Sequence, residues 1–231
     1  MVTQQHTKAL FYVTLVLLKP ASLRIVRRPS VVTSAVREAR LVELTYDLGG
    51  RSIVWGSGRA RNTPKGIPFR EGYHWLIELL SASGHLAEEK GVRIAIEPIN
   101  RFESTIIHDA KEALSLARLA DCESVGMVHD TFHVSLEEDL FIGPILLAGK
   151  RVAAVHVSDC NRKIPGKGHI CFPPIFDSLR KVGYDGYVTL EAILPRDPHQ
   201  DLVAARRCLE KMIDWKRSKD NSSLEDAADD H

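Results

Sequence analysis

Four short apolar runs in this 231-residue chain each lead into a side chain able to ligate a cation. Gly91 to Ile96 (GVRIAI) is followed by Glu97, and Ser124 to His129 (SVGMVH) by Asp130. Arg151 to Val155 (RVAAV) is followed by His156, and Tyr187 to Leu190 (YVTL) by Glu191. In the first run Val92, Ile94 and Ile96 are β-branched and Pro98 closes the segment, which predicts a buried strand with Glu97 at its C-terminal end. A parallel α/β protein places its chemistry at that end of its strands. One such carboxylate could simply have reached water; the recurrence of the design in four runs argues otherwise. The four residues are spaced 33, 26 and 35 positions apart, room for one helix and two loops each time. Right-handed crossovers then bring all four side chains to one end of the sheet. Three carboxylates and one imidazole converging there repel one another unless a divalent cation sits among them. Such an oxygen-rich set with one nitrogen suits Mn²⁺, Mg²⁺ or Co²⁺ better than a thiolate-bound structural zinc.

The elements that must position these residues follow from pattern. Ala9 to Leu18 (ALFYVTLVLL) and Ser52 to Trp55 (SIVW) read as two further strands, the first being too short for a membrane span of about 20 residues. A helix is expected from Ser34 to Leu48, stopped by Gly49-Gly50, and a second from Phe69 to Lys90 with Trp75, Leu76, Leu79, Leu80 and Leu86 as its apolar stripe. His74 and His85 on that segment read as ordinary surface histidines. Asp109 with Glu112 resembles a capping box for a helix through Ala120. Leu136 to Gly149 reads as one helix kinked or divided by Pro144, and Pro173 to Val182 and Leu202 to Trp215 as two more. The polar residues 216–231 have little to bury and read as a disordered tail. The loop GSGRARNTPKG lacks the spacing of a phosphate cradle, which leaves Arg59 or Arg61 as candidates to meet a substrate phosphate. His129, beside Asp130, is expected on the opposite, helix-facing side of its strand.

The segments IEPINRFE, HDTFH, VHVSDCNR, GKGHI and YDGYVTLE resemble those of the xylose-isomerase-like TIM barrels, within them the sugar epimerase and isomerase group that includes the tagatose 3-epimerase and hydroxypyruvate-isomerase-like proteins. The likeness spans roughly residues 10–207. It implies that Glu97, Asp130, His156 and Glu191 are the metal ligands and that Glu97 and Glu191 are also the proton-transfer pair. It further implies that Glu103, His133 and Arg162 touch substrate hydroxyls, and that the cation is Mn²⁺ first, with Co²⁺ or Mg²⁺ next. The fold implied is a (β/α)₈ barrel. Six strands are legible where a closed barrel needs eight and about 250 residues, so the chain reads as a single barrel domain over 1–215 lacking its first two β/α units. Two unpaired parallel edges would then offer a surface for homo-oligomerisation.

The activity implied is a metal-dependent ketose epimerase or isomerase working by Glu-mediated proton transfer through an enediolate. A non-catalytic remnant that still binds metal is the alternative. A hydrolase of the endonuclease IV kind is a third reading; the net charge of +1 argues against it and against nucleic acid or an anionic membrane as partner. Four cysteines without Cys-x-x-Cys spacing read as reduced, which points to the cytoplasm.

Overall fold

The computed structural model describes residues 28–225. Five strands, β1 (Ser52–Trp55), β2 (Arg93–Ile96), β3 (Val125–Asp130), β4 (Val152–Val157) and β5 (Val188–Leu190), lie side by side in chain order, every neighbouring pair parallel. The helices are α1 (Arg28–Asp47), α2 (Gly58–Arg61), α3 (Phe69–Lys90), α4 (Ala110–Leu119), α5 (Thr131–Glu137), α6 (Ile142–Ala148), α7 (Phe172–Lys181) and α8 (His199–Glu225). This alternation of parallel strand and helix, with the strands in sequential order, is an open sector of a TIM barrel. The strand expected at Ala9–Leu18 lies outside the described residues.

The pleat sorts side chains into two environments. Ile94, Ile96, Val125, Met127, Val155 and Val157 face outward into the main core with Leu76, Leu80, Leu116 and Phe172 from the helices. Val54, Ala95, Val128, Ala153 and Ala154 form a smaller cluster on the concave side. Ala153 and Ala154 are consecutive and both belong to that cluster because the β3–β4 register shifts by one between Met127 and Val128. Gly126 permits the irregularity, since a Cβ there would lie 2.3 Å from the Arg151 carbonyl oxygen. Past the shift, Asp130 pairs with His156.

Three expectations about helices are corrected. The segment 136–149 is two helices, α5 ending at Glu137 and α6 starting at Ile142, rather than one kinked at Pro144. Pro144 sits in the first turn of α6, where its missing N–H is harmless. The helix over 34–48 begins earlier, at Arg28. The final helix starts at His199, ahead of Leu202, and runs to Glu225, into the polar stretch 216–231.

Candidate metal centre

Each candidate ligand is delivered by its strand. Glu97 is the first residue past β2, Asp130 the last of β3, His156 the fifth of β4, and Glu191 the first past β5. Their ligand-capable atoms all lie within 4.8 Å of one another. His156 Nδ1 is 3.0 Å from Glu97 Oε1, 2.5 Å from Glu191 Oε2 and 3.8 Å from Asp130 Oδ2. Gly56, just beyond β1, leaves room for this: a Cβ there would fall 2.0 Å from Glu97 Oε2.

The electrostatics are those of a cluster short of positive charge. Burial disfavours a charged His156, yet its contacts with Glu191 and Glu97, and their charges, hold its pKa up to about 10. Burial, then the Glu97 charge, pushes Asp130 up against the pull of Arg162 and His156. Burial would also raise Glu191, but contact with His156 and the charges of His156 and Arg162 hold it well below the usual carboxylate range. One Nδ1 hydrogen cannot satisfy three carboxylates. It bonds to Glu97 Oε1, and the buried Glu191 Oε2, although close, lies outside hydrogen-bond geometry and has no partner. An orphaned carboxylate oxygen aimed at two more carboxylates and an imidazole fits an oxygen-seeking divalent cation.

Asp130 has two tasks. Its Oδ1 accepts from the backbone N–H groups of Phe132 (2.7 Å) and His133 (3.0 Å), capping α5, while Oδ2 faces His156. Arg162 also serves the cluster. Its Nη2 donates to Glu191 Oε1 at 2.9 Å, its Nη1 lies 3.5 Å from both Asp130 oxygens, and its guanidinium stacks 4.6 Å over Phe132. The backbone of Arg162 is left-handed (φ 59°), a strained conformation for a residue with a Cβ. Buried Asp159 holds that loop by accepting from the N–H groups of Cys160, Gly166 and Ile170 at 2.9, 3.0 and 3.1 Å. These bonds keep the Asp159 carboxyl below its ordinary range although burial opposes that.

The residues expected at substrate hydroxyls divide into two groups. Arg162 is in the cluster. Glu103 and His133 are joined through Asn100, whose Nδ2 donates to Glu103 Oε1 at 2.8 Å and lies 2.9 Å from His133 Nδ1. Burial lowers the pKa of His133, favouring a neutral ring that accepts at Nδ1. Arg61, a candidate for a substrate phosphate, is instead buried, donating to the carbonyls of Trp55 (3.1 Å), Glu97 (2.6 Å) and Ile107 (3.4 Å). Three carbonyls gathered beside the end of β2 took precedence over an exposed loop role. Asn100 and Asp159 went unassigned in the sequence, although both lie within quoted segments, IEPINRFE and VHVSDCNR. His129 is buried among the helix-facing residues, where desolvation lowers its pKa to about 4 and neither ring nitrogen has a partner.

Comparison with known proteins agrees with the fold. The family model described as "Xylose isomerase-like TIM barrel" matches residues 19–212. A D-psicose 3-epimerase of Ruminiclostridium cellulolyticum is 36% identical over 115 residues, covering 50% of this chain and 39% of that protein. An L-ribulose 3-epimerase of Mesorhizobium japonicum is 31% identical over 152 residues, covering 65% of this chain and 51% of that protein. The chain thus spans about half or less of these relatives. Among solved structures, that of an L-ribulose 3-epimerase superposes with a TM-score of 0.74 at 23% identity, covering 84% of this chain and 71% of that one. A Clostridium cellulolyticum D-psicose 3-epimerase bound to D-tagatose gives 0.69 at 26% identity, covering 83% and 72%. By its strand order, its concave cluster and the extent of that match, the chain belongs to the xylose isomerase-like TIM barrel family.

Proposed function

We propose that this chain is a divalent-metal-dependent ketose epimerase, with Glu97, Asp130, His156 and Glu191 as metal ligands and Mn²⁺ as the preferred ion. The observation that carries the reading is the convergence of three carboxylates and one imidazole within 4.8 Å at the C-terminal ends of consecutive parallel strands. The names of the relatives, ketose 3-epimerases for the most part, support the substrate class. A bound divalent cation supplies Lewis-acid polarisation of the C2 carbonyl, which acidifies the neighbouring C–H. Glu97 and Glu191 reach the centre from β2 and β5, with His156 between them in contact with both. One carboxylate removes the proton at C3 to leave an enediolate, and the other returns a proton from the opposite face, which inverts the carbon. Arg162 steadies Glu191 and offers positive charge to the oxygen that becomes anionic. The Glu103–Asn100–His133 relay holds a substrate hydroxyl at the mouth of the site.

Two neighbouring readings share this machinery. If one carboxylate carries the proton between C1 and C2, the reaction is an aldose–ketose isomerisation; the carboxylate pair is equally suited to it. A metal-binding remnant without turnover is favoured only by the five strands found among the described residues. Among the described residues no helix is long and apolar enough to cross a membrane. The four cysteines are free thiols, which supports a reducing, cytoplasmic setting.

The test is proton exchange: the chain with Mn²⁺ and a panel of ketoses in D₂O, with deuterium entry followed by NMR. Entry at C3 is the expected result, entry at C1 transfers the assignment to an isomerase, and no entry on any ketose with metal bound establishes the remnant.

A further inference from the structure

At the N-terminal end of the strands, opposite the end that carries the carboxylate cluster, His85 and Glu88 of α3 meet Cys122 from the turn between α4 and β3, their ligand-capable atoms within 4.8 Å of one another. We infer that His85, Glu88 and Cys122 form a second divalent-metal site, one for a borderline-soft ion of the Zn²⁺ or Co²⁺ type. His85 and Glu88 are three positions apart, which puts both on one face of α3. Cys122 is aimed at that face by Asp121, whose backbone is left-handed (φ 54°). The thiol seats against α3 only because residue 84 is glycine: a Cβ there would lie 2.9 Å from Cys122 Sγ.

The turn that carries the sulfur is locked independently of any ion. Ser124 Oγ donates to the Gly84 carbonyl at 2.6 Å, and Arg151 Nη1 donates to the carbonyls of Cys122 (3.2 Å) and Val125 (2.7 Å). Within this frame His85 Nδ1 is 3.5 Å from Cys122 Sγ. That separation is an ordinary one for a weak hydrogen bond to sulfur, and the thiol also reaches the carbonyl oxygens of Ala120 at 3.3 Å and Ser81 at 3.5 Å. The nitrogen–sulfur separation is also about the edge of a tetrahedron whose centre is roughly 2.3 Å from sulfur and roughly 2.0 Å from nitrogen, the bond lengths of zinc. One sulfur, one nitrogen and one carboxylate select against Mg²⁺ and Mn²⁺, the ions suited to the oxygen-rich centre. His85 and Glu88 are exposed and Cys122 is buried, so solvent supplies the fourth position and the bound ion ties the outer helix to the turn leading into β3. Binding replaces the sulfur–hydrogen bond by a sulfur–metal bond, and the proton leaves to solvent.

Co²⁺ is the probe, because its thiolate-to-metal absorption band reports sulfur ligation and is silent for cobalt held by carboxylates and imidazole. The full chain, preloaded with Mn²⁺, is titrated with Co²⁺ alone. The expected result is a thiolate band that saturates at one equivalent, is lost in Cys122→Ser and survives Glu191→Gln. His85→Ala alters an exposed position of α3 and is expected to keep the wild-type circular dichroism while weakening cobalt affinity tenfold or more. No thiolate band in the wild type, a band retained in Cys122→Ser, or a titration unchanged by His85→Ala would each overturn the assignment.

Discussion

The inner and outer strands of the sheet treat their ligands differently. Every residue of β3 and β4 is buried, and the Asp130 and His156 side chains are 1% and 4% exposed; every residue of β5 is half-buried, and the Glu191 side chain is 33% exposed. Asp130 is held by two backbone N–H groups, whereas Glu191 is held only by side chains, His156 and Arg162, the latter on a loop. The inner ligands are therefore fixed by folding. The outer one keeps freedom to change partner, which suits the proton-transfer role proposed for Glu191.

The strongest challenge to this contrast is Glu191→Gln, which preserves shape and removes the basic oxygen. Turnover is expected to fall by about 10² to 10⁴-fold, the worth of one positioned acid–base group, with the circular dichroism unchanged. Turnover within a few-fold of wild type would remove Glu191 from the proton path. Next in size is the comparison of two ligand deletions. His156→Ala is expected to weaken Mn²⁺ affinity by more than about 100-fold, beyond the roughly 10–100-fold that a supporting partner is worth, and by more than Glu191→Ala does. Calorimetric titration decides it, and equal losses would erase the distinction between inner and outer ligands.

His129 tests the inner strands from their other face. Its folded pKa of about 4 lies below the ordinary histidine value, so as pH falls the unfolded chain takes up the proton first. Its contribution to stability is full above pH ~6.5 and declines by ~3 kcal/mol by pH ~4. In denaturant melts across that range the wild type should lose this stability as pH falls while His129→Leu keeps its own; parallel curves would mean that the ring is not buried neutral. The smallest effect is expected at Gly56→Ala. The added methyl collides with Glu97 Oε2, and repacking of that kind costs about 1–3 kcal/mol, here read as a Mn²⁺ affinity lower by about tenfold.

The four candidate ligands were legible because each follows a short β-branched or apolar run, a signal confined to a few residues. Arg162 and His133 were legible only through resemblance. Arg61 misled because its role depends on three carbonyls brought together from Trp55, Glu97 and Ile107, none of them a neighbour in sequence. The same reason hid the His85–Cys122 contact, across 37 residues, behind an exposed histidine and a cysteine without a paired spacing. Pro144 was visible, but whether a proline divides a helix or opens one depends on where the helix begins, and that was fixed by packing of Ile145 and Ala148.

The one-residue shift between β3 and β4 has a genetic meaning. Because Ala153 and Ala154 both face the concave side, the second half of β4 is out of phase with its first half, and beyond that offset Asp130 pairs with His156. Loss of the Ala153 codon would restore a regular ladder that keeps Asp130 opposite His156, whereas loss of the Val155 codon would set His156 opposite His129, on the helix-facing side. A lineage that drops this alanine keeps both the sheet and the centre, whereas one that drops a residue beyond the shift keeps a well-formed sheet and loses the centre.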